Sequence, residues 1–548
     1  MHRRLNYLIE AAAQAKPGST AVRDGKYHLT YGELQQRLEA TAGGFQALGL
    51  TAGTRIAVYL PKQLETVEAL FAAPYMGGIF VPINPVLKPA QVAHILQDSG
   101  ATALVTSAER ATLLTELLPR CKNLQHLVLT HGEVETNTFS QLTVTKWQSL
   151  RSSSTLAYTD TSENTAAAIL YTSGSTGHPK GVVLSHRNLV LGAESVVQYL
   201  GTQSSDRILS VLPLSFDYGL NQLITAFTAR ASVALLNYLM PKDVIRSVIQ
   251  EKITTIAGVP SLWAQLAILD WPKEIFTRKL NNPHNNQHNE NTLHTLTNSG
   301  GHLPLSVIKS LQQQLPNARL FLMYGLTEAF RSSYLPPERL SERPTSMGKA
   351  IPHANLAVVR PDGTVCPPGE PGELVHAGPL VAQGYWNKPE ATARYFRSPP
   401  AAMANIAATE KVLWTGDTVT QDEDGYLYFI GREDDMIKTS GYRVSPTEVE
   451  EILHNSGLIH ETAVFGVPHP TLGQAIVAVV SLCTAMDSTQ TSKEKLIKQL
   501  LSHCRAKLPG FMLPAHIEQQ TQLPKTANGK IDRQGLKQTF SNHFSDTL

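Results

Sequence analysis

The run Tyr171-Thr172-Ser173-Gly174-Ser175-Thr176-Gly177-His178-Pro179-Lys180-Gly181 directly follows an apolar stretch, 166–170, that reads as a strand. Glycines let a backbone bend tightly around phosphate oxygens, Ser and Thr hydroxyls donate to those oxygens, and Lys180 adds a positive charge. Such a loop can hold a polyphosphate. An ordinary Gly/Ser turn is the competing reading, and the length and composition of the run count against it. A Walker loop is disfavoured, because it needs Gly-Lys-Ser/Thr where this chain has Pro179-Lys180-Gly181.

The elements that must hold this loop follow one pattern through most of the chain. Short β-rich runs alternate with amphipathic helical segments, as expected for parallel sheets covered by helices. Strands are expected at 55–60, 102–107, 207–212, 232–236 and 319–323. Thr30-Tyr31-Gly32-Glu33 fits a capping box, after which Leu34, Leu38, Ala42, Phe45 and Leu48 fall on one helix face, a core face. From about Gly372 the closely spaced runs GELVHAG, VLWTGD and YLYFIGR predict a small β-rich subdomain. A boundary near Asp434 divides the chain into domains 1–433 and 434–548. In the second, Ser445-Pro446-Thr447-Glu448 reads as a capping box with Pro at the first helical position, strands are expected at 462–466 and 475–482, and a helix from Ser492. The fold class is α/β: a large N-terminal domain of doubly wound sheets plus the β-rich subdomain, then a small mobile C-terminal α+β domain. The polar stretch 281–291, NNPHNNQHNEN, reads as an inserted solvated loop; His284, His288 and His294 have no acidic or Cys partner placed to make a metal site.

Composition agrees with several domains and narrows the partners. A chain of 548 residues exceeds one hydrophobic core. Its 47 Lys and Arg nearly cancel 45 Asp and Glu, leaving +2, which is no footprint for nucleic acid or an anionic membrane. Cys121, Cys366, Cys483 and Cys504 lie far apart and read as reduced, mostly buried thiols. The apolar stretch 69–83 contains Pro74, Gly77, Gly78 and Pro82 and falls short of the ~20 residues that span a bilayer. Near the N-terminus Asn6 and Glu10 interrupt the apolar run that a secretory signal needs, so an amphipathic first helix and a cytoplasmic location are expected.

The loop resembles the phosphate loop of the adenylate-forming superfamily: acyl- and aryl-CoA synthetases, amino-acid adenylation domains and firefly-type luciferases. Further motifs of that superfamily follow in order: Met323-Tyr324-Gly325-Leu326-Thr327-Glu328, Trp414-Thr415-Gly416-Asp417, Gly431-Arg432-Glu433-Asp434-Asp435, Gly441-Tyr442-Arg443-Val444 and Leu523-Pro524-Lys525-Thr526-Ala527-Asn528-Gly529-Lys530. The resemblance covers essentially the whole chain. It implies ATP-dependent activation of a carboxylic acid to an acyl adenylate with loss of pyrophosphate, then transfer to a thiol, either CoA or the phosphopantetheine of a separate carrier protein. Thr172, Ser173, Gly174, Ser175, Thr176, Gly177 and Lys180 would then contact phosphates, with Tyr324 and Gly325 beside the nucleotide. Thr327 would donate to the α-phosphate, Glu328 would help to hold Mg²⁺, Asp417 and Arg432 would hold the ribose, and Lys530 would bridge the attacking carboxylate and the phosphate. A surface ion pair is the alternative for Asp417 and Arg432. The chemistry suits these types, since the attack brings two anions together and cations and donors must surround them.

The resemblance places a hinge at Asp434 and sets Gly441 and Arg443 on a face that meets the thiol channel. For the acid it points to Phe216, Asp217, Gly300 and Gly301, with His302 a departure after the second glycine. Where many acyl-CoA synthetases have Leu-Pro-Leu-Phe-His, this chain reads Leu212-Pro213-Leu214-Ser215-Phe216-Asp217-Tyr218-Gly219 and lacks the gating histidine. Phe216-Asp217 is similar to amino-acid adenylation domains, whose aspartate binds the substrate ammonium, and the stretch also resembles acyl-CoA ligases linked to exosortase loci. Two expectations for Asp217 stay open: an ammonium ligand, or a carboxylate turned elsewhere to satisfy backbone donors. A stand-alone amino-acid adenylating enzyme loading a carrier protein is thus the alternative function, ahead of a nucleotide sensor without catalysis.

Overall fold

A computed structural model describes residues 3–135, 138–151, 156–172, 179–272, 293–407, 410–432, 436–482, 493–524 and 531–545. Two large sheets form the body. In one, the strands Thr20–Asp24, Ser232–Leu235, Arg207–Ser210, Thr255–Gly258, Thr295–Asn298 and Arg319–Tyr324 run side by side in parallel. In the other, Arg55–Tyr59, Ile79–Pro82, Ala103–Thr106, His126–Leu129 and Thr143–Lys146 are parallel, and Ala166–Thr172 joins beside Ile79–Pro82. The strands expected in these two sheets are all present, each within two residues of its expected ends; in the small domain the strand expected at 462–466 runs longer, Ile459–His469.

Helices Leu5–Ala15, Tyr31–Ala47, Leu64–Tyr75, His186–Leu200 and Asp217–Ala229 share one apolar core with strand residues of both sheets, among them Ile56 and Val233. Leu64–Tyr75 is buried almost all round from Thr66 onward, which explains why the apolar stretch 69–83 begins within it. The Thr30 capping box forms as its residue types require: Glu33 N donates to Thr30 Oγ1 at 3.2 Å and Thr30 N to Glu33 Oε2 at 2.8 Å. The β-rich subdomain is an antiparallel sheet of Asn355–Val359, Gly372–Ala377, Val412–Gln421, Phe396–Arg397 and Leu427–Arg432.

The C-terminal domain is built on Tyr442–Val444, Ile437–Thr439, Gly473–Leu482, Ile459–His469 and His516–Gln519. Alternation along its strands feeds two cores. Val464, Ile476, Ala478 and Val480 face the helices Pro446–His454 and Lys493–Lys507, while Phe465, Val467, Val477 and Val479 face Leu536 and Phe540. The Ser445 capping box is a correction. Proline starts the helix as expected, but Ser445 Oγ pairs with Thr447 Oγ1, and Glu448 is drawn away by Gln91 of the large domain, whose Nε2 donates to Glu448 Oε1 at 2.9 Å.

The hinge candidate Asp434 and the stretch 281–291 lie outside the described residues. His294 bonds Asp206 Oδ1 at 2.9 Å. Cys121, Cys366 and Cys504 are free and buried. Among the described residues no helix is long and apolar enough to cross a membrane.

Docking of the small domain has a titratable element. Burial pushes the Glu448 carboxyl up to about 7 from the ordinary 4.5 that it regains in water. Docking therefore takes up a proton between those values: it is strongest below 4.5, weakens as pH rises to 7 and is flat above. Glu448→Gln is expected to remove this dependence, read as the distance between labels on the two domains from pH 5.5 to 8; the same profile in both proteins would refute it.

Candidate active site

Thr172 and Lys180 stand opposite each other in an antiparallel pair formed by Ala166–Thr172 and Lys180–Ser185. The strands on either side of the Gly/Ser/Thr run thus form an antiparallel pair, whereas a Walker run leads from a strand into a helix. Ser173, Gly174, Ser175, Thr176 and Gly177 lie outside the described residues. Lys180 Nζ is 5.7 Å from the ring centre of Tyr385, whose strand pairs with Lys180–Ser185.

The strand Arg319–Tyr324 delivers a second wall. Tyr324 ends it, Gly325 turns the chain, and a short 3-10 turn carries Thr327 and Glu328, both buried. A methyl on Gly325 would come within 3.2 Å of Arg331 Cα, so this close turn suits glycine. Glu328 Oε1 accepts from Tyr385 OH at 2.8 Å and lies 3.6 Å from Arg443 Nη1. Its other oxygen, Oε2, is buried and takes no hydrogen bond among the described residues.

A third wall comes from the β-rich subdomain. Asp417 lies in Val412–Gln421, opposite Arg432 in the register, and accepts a hydrogen bond from Tyr324 OH. At 1% exposure it is no surface ion-pair residue.

The small domain supplies the fourth wall. Its hairpin Ile437–Thr439/Tyr442–Val444 turns through Ser440 and Gly441, both at positive φ, +52° and +83°. A Cβ at Gly441 would sit 2.5 Å from Val259 Cγ1, so a side chain is barred both by the backbone and by contact. Lys438 Nζ lies 5.9 Å from the Tyr324 ring centre, and Arg443 reaches Glu328.

Two cavities meet at this hairpin. One of about 510 Å³ is lined by Gly300, Gly301, His302, Tyr324, Gly325 and Lys438. Burial lowers the His302 pKa, which favours the neutral ring. The other, of about 400 Å³, is lined by Phe216, Tyr238, Ser440 and Tyr442 among others, and Gly441 lines both. The site therefore gathers Lys180, Tyr324, Gly325, Thr327, Glu328, Asp417, Gly300, Gly301, Gly441 and Arg443. Lys530 lies outside the described residues.

Asp217 fits the second expectation, accepting backbone hydrogen bonds from Tyr218 and its own N–H, and it has in addition a partner that neither expectation named. It opens the helix Asp217–Ala229, is buried, and its Oδ2 stands 3.7 Å from Nη1 of Arg331, itself 2% exposed and 4.5 Å from the Tyr218 ring centre. Burial raises the Asp217 pKa and Arg331 opposes that rise. Asp217 lines neither cavity, so the cation beside it belongs to the chain. Phe216, immediately before it, lines the smaller cavity. Sequence reasoning missed Arg331 and Tyr385; the signal for Arg331 was a lone cation three residues after Glu328, beside a motif already singled out.

The family model described as AMP-binding enzyme matches residues 9–386, and that described as AMP-binding enzyme C-terminal domain matches 448–530. A feruloyl-CoA synthase from Amycolatopsis sp is 29% identical over 96% of this chain and 97% of its own. A linear gramicidin synthase polypeptide of Brevibacillus parabrevis is 29% identical over 96% of this chain, which spans only 6% of that much longer protein. The solved structure of o-succinylbenzoate CoA synthetase from Bacillus subtilis superposes with a TM-score of 0.77 at 25% identity, covering 97% of each chain. The chain belongs to the AMP-binding enzyme family as an acyl-CoA synthetase-like ligase.

Proposed function

We propose that the protein joins a carboxylic acid lacking an α-ammonium group to a thiol, through an acyl adenylate made from ATP with release of pyrophosphate. The observation that carries the reading is the single cleft in which the Lys180 hairpin, the Tyr324–Asp417 bond and Glu328 converge, with Gly441 pressed against it. A buried carboxylate at Asp417 suits a ribose, because it can accept from two neighbouring hydroxyls, and Arg432 stands opposite it in the register. Thr327 would donate to the α-phosphate. The second oxygen of Glu328, buried and without a hydrogen bond among the described residues, fits a share in Mg²⁺, with phosphate oxygens as the remaining ligands. When bound, that ion would offset phosphate charge.

The acid class follows from Asp217. An aspartate that is to bind a substrate ammonium must need a cation; here the buried Arg331 stands beside it and the carboxylate lines neither of the two cavities described. Feruloyl and o-succinylbenzoyl groups, the acids named for two relatives, lack an α-amine, and this chain is read as similar in that respect. CoA and carrier-protein phosphopantetheine bring the same thiol arm, and the small cavity, lined in part by Gly441, suits either. A sensor without catalysis is opposed by the retention of Glu328, Asp417 and Lys530 in one chain.

The two half-reactions need different faces of the small domain. Lys530 must reach the phosphates for adenylation, whereas the arrangement described here presents Gly441 and Arg443, the face suited to the thiol step. Gly441→Leu is expected to stop thioester formation while leaving ATP–pyrophosphate exchange within about threefold. Lys530→Ala is expected to slow exchange by orders of magnitude, several kcal/mol of lost charge stabilisation, while sparing thioester formation from supplied acyl adenylate. Equal loss of both steps in either variant would sink the division of labour. For the acid, exchange is measured with matched pairs, proline against cyclopentanecarboxylate and alanine against propionate; the plain acids are expected to win, and preference for the amines would restore Asp217 as an ammonium ligand.

A further inference from the structure

Lys62 lies between the strand Arg55–Tyr59 and the helix Leu64–Tyr75 and is 8% exposed. Its Nζ donates to the carbonyl oxygens of Val211 at 2.7 Å and Leu212 at 3.4 Å. Removing an ammonium from water without a counter-ion is costly, and an apolar side chain would fill the same space without that cost. Burial, with no neighbouring charge contributing, brings its pKa down to about 7. The residue is also held firmly: Asn237 Nδ2 donates to Lys62 O at 2.7 Å, and Lys62 N donates to Asn237 Oδ1 at 3.3 Å.

Lys62 and Asn237 both line the 400 Å³ cavity that runs to Phe216 and Gly441. An ammonium has three donors, and two of them are spent on the Val211 and Leu212 carbonyls. A third carbonyl, coming from the cavity, would complete an oxygen shell around the charge. The thiol-bearing arm shared by CoA and carrier proteins carries two amide carbonyls along an extended chain, the acceptor type that is missing.

We propose that Lys62 binds the acceptor substrate of the second half-reaction, donating a hydrogen bond to an amide carbonyl of the pantetheine arm as it passes along this cavity toward Gly441. This rests on the reading of the cavity as the thiol channel. A purely structural lysine, tying one sheet to the other through Val211 and Leu212, would support every substrate equally; a ligand for the arm acts only on thiols that carry an amide.

The test compares two acceptors, pantetheine and 2-mercaptoethanol, which has no carbonyl, with native enzyme and Lys62→Met. ATP–pyrophosphate exchange is expected to stay within twofold. Thioester formation with pantetheine is expected to lose about tenfold or more in kcat/KM, the scale of one hydrogen bond to a charged group, while the rate with 2-mercaptoethanol stays within twofold. An equal fall for both thiols, or no fall with pantetheine, overturns the proposal. Lys62→Leu, which likewise removes every donor, goes through the same comparison under the same criterion if the methionine variant does not fold. Gly441→Leu separates the two readings: if it spares thioester formation the channel itself is wrong, whereas if it blocks that step and Lys62→Met shows no dependence on the amide, only the role of Lys62 fails.

Discussion

The buried carboxylate of Glu328 is the point on which the cleft depends. One oxygen is held by a tyrosine from the strand beside the phosphate hairpin and approached by an arginine from the small domain, and the other is left open. A carboxylate this buried is tolerable only where donors or cations surround it. The hairpin that brings Tyr385, the turn after Tyr324 and the docked Arg443 are therefore bound to one another through a single group. In the proposed cycle, charge at this spot changes hands: a metal and phosphates occupy the cleft for adenylation, and Arg443 faces Glu328 when the small domain presents Gly441.

A second buried acid, Asp217, is neutralised from within. An ion pair taken out of water contributes little net stability, yet removing either partner leaves an uncompensated charge and costs about 3–5 kcal/mol. Arg331 and Asp217 are thus better seen as a device of specificity than of stability. The pair stands beside the turn Leu212-Pro213-Leu214-Ser215-Phe216, where a methyl on Gly219 would lie 2.0 Å from Pro213 O, so the approach of this turn to the helix is fixed by glycine. Phe216 is carried to the cavity wall by the same rigid turn that points Asp217 inward.

Much of this was legible in the sequence because local signals were strong. Alternation with helical periodicity located the parallel strands, the Thr30 box formed as its residues require, and Gly441 stands out within its motif even without sight of its contact with Val259. What escaped was set by contacts distant in sequence. Ser445-Pro446-Thr447-Glu448 has the composition of a capping box, but Gln91, hundreds of positions earlier, competes for Glu448 and wins. For Asp217 the backbone donors of its own helix start were foreseeable, while its charged neighbour, Arg331, belongs to another strand–turn unit, and nothing in the spacing joins them. Lys62 gave no signal at all: one lysine in a segment that otherwise reads as strand, turn and helix becomes notable only when two carbonyls and a cavity are seen around it.

Reversibility is the last constraint, and the small domain's contacts suit it. A large apolar interface would hold one face against the cleft permanently, whereas the proposed cycle has two faces serve in turn. The contacts described between the domains include polar pairs, Gln91 with Glu448 and Arg443 with Glu328, around one glycine that permits close approach. The Gln91–Glu448 bond exchanges a bond with water for one with protein at small net gain, so it needs no large input to break. Glu448 goes further: burial works against its charge, so docking at neutral pH is weakened by the residue that sits in the interface. The geometry thus allows a close fit at Gly441 held partly by polar contacts, which is what the proposed cycle, with the small domain leaving and returning, would require.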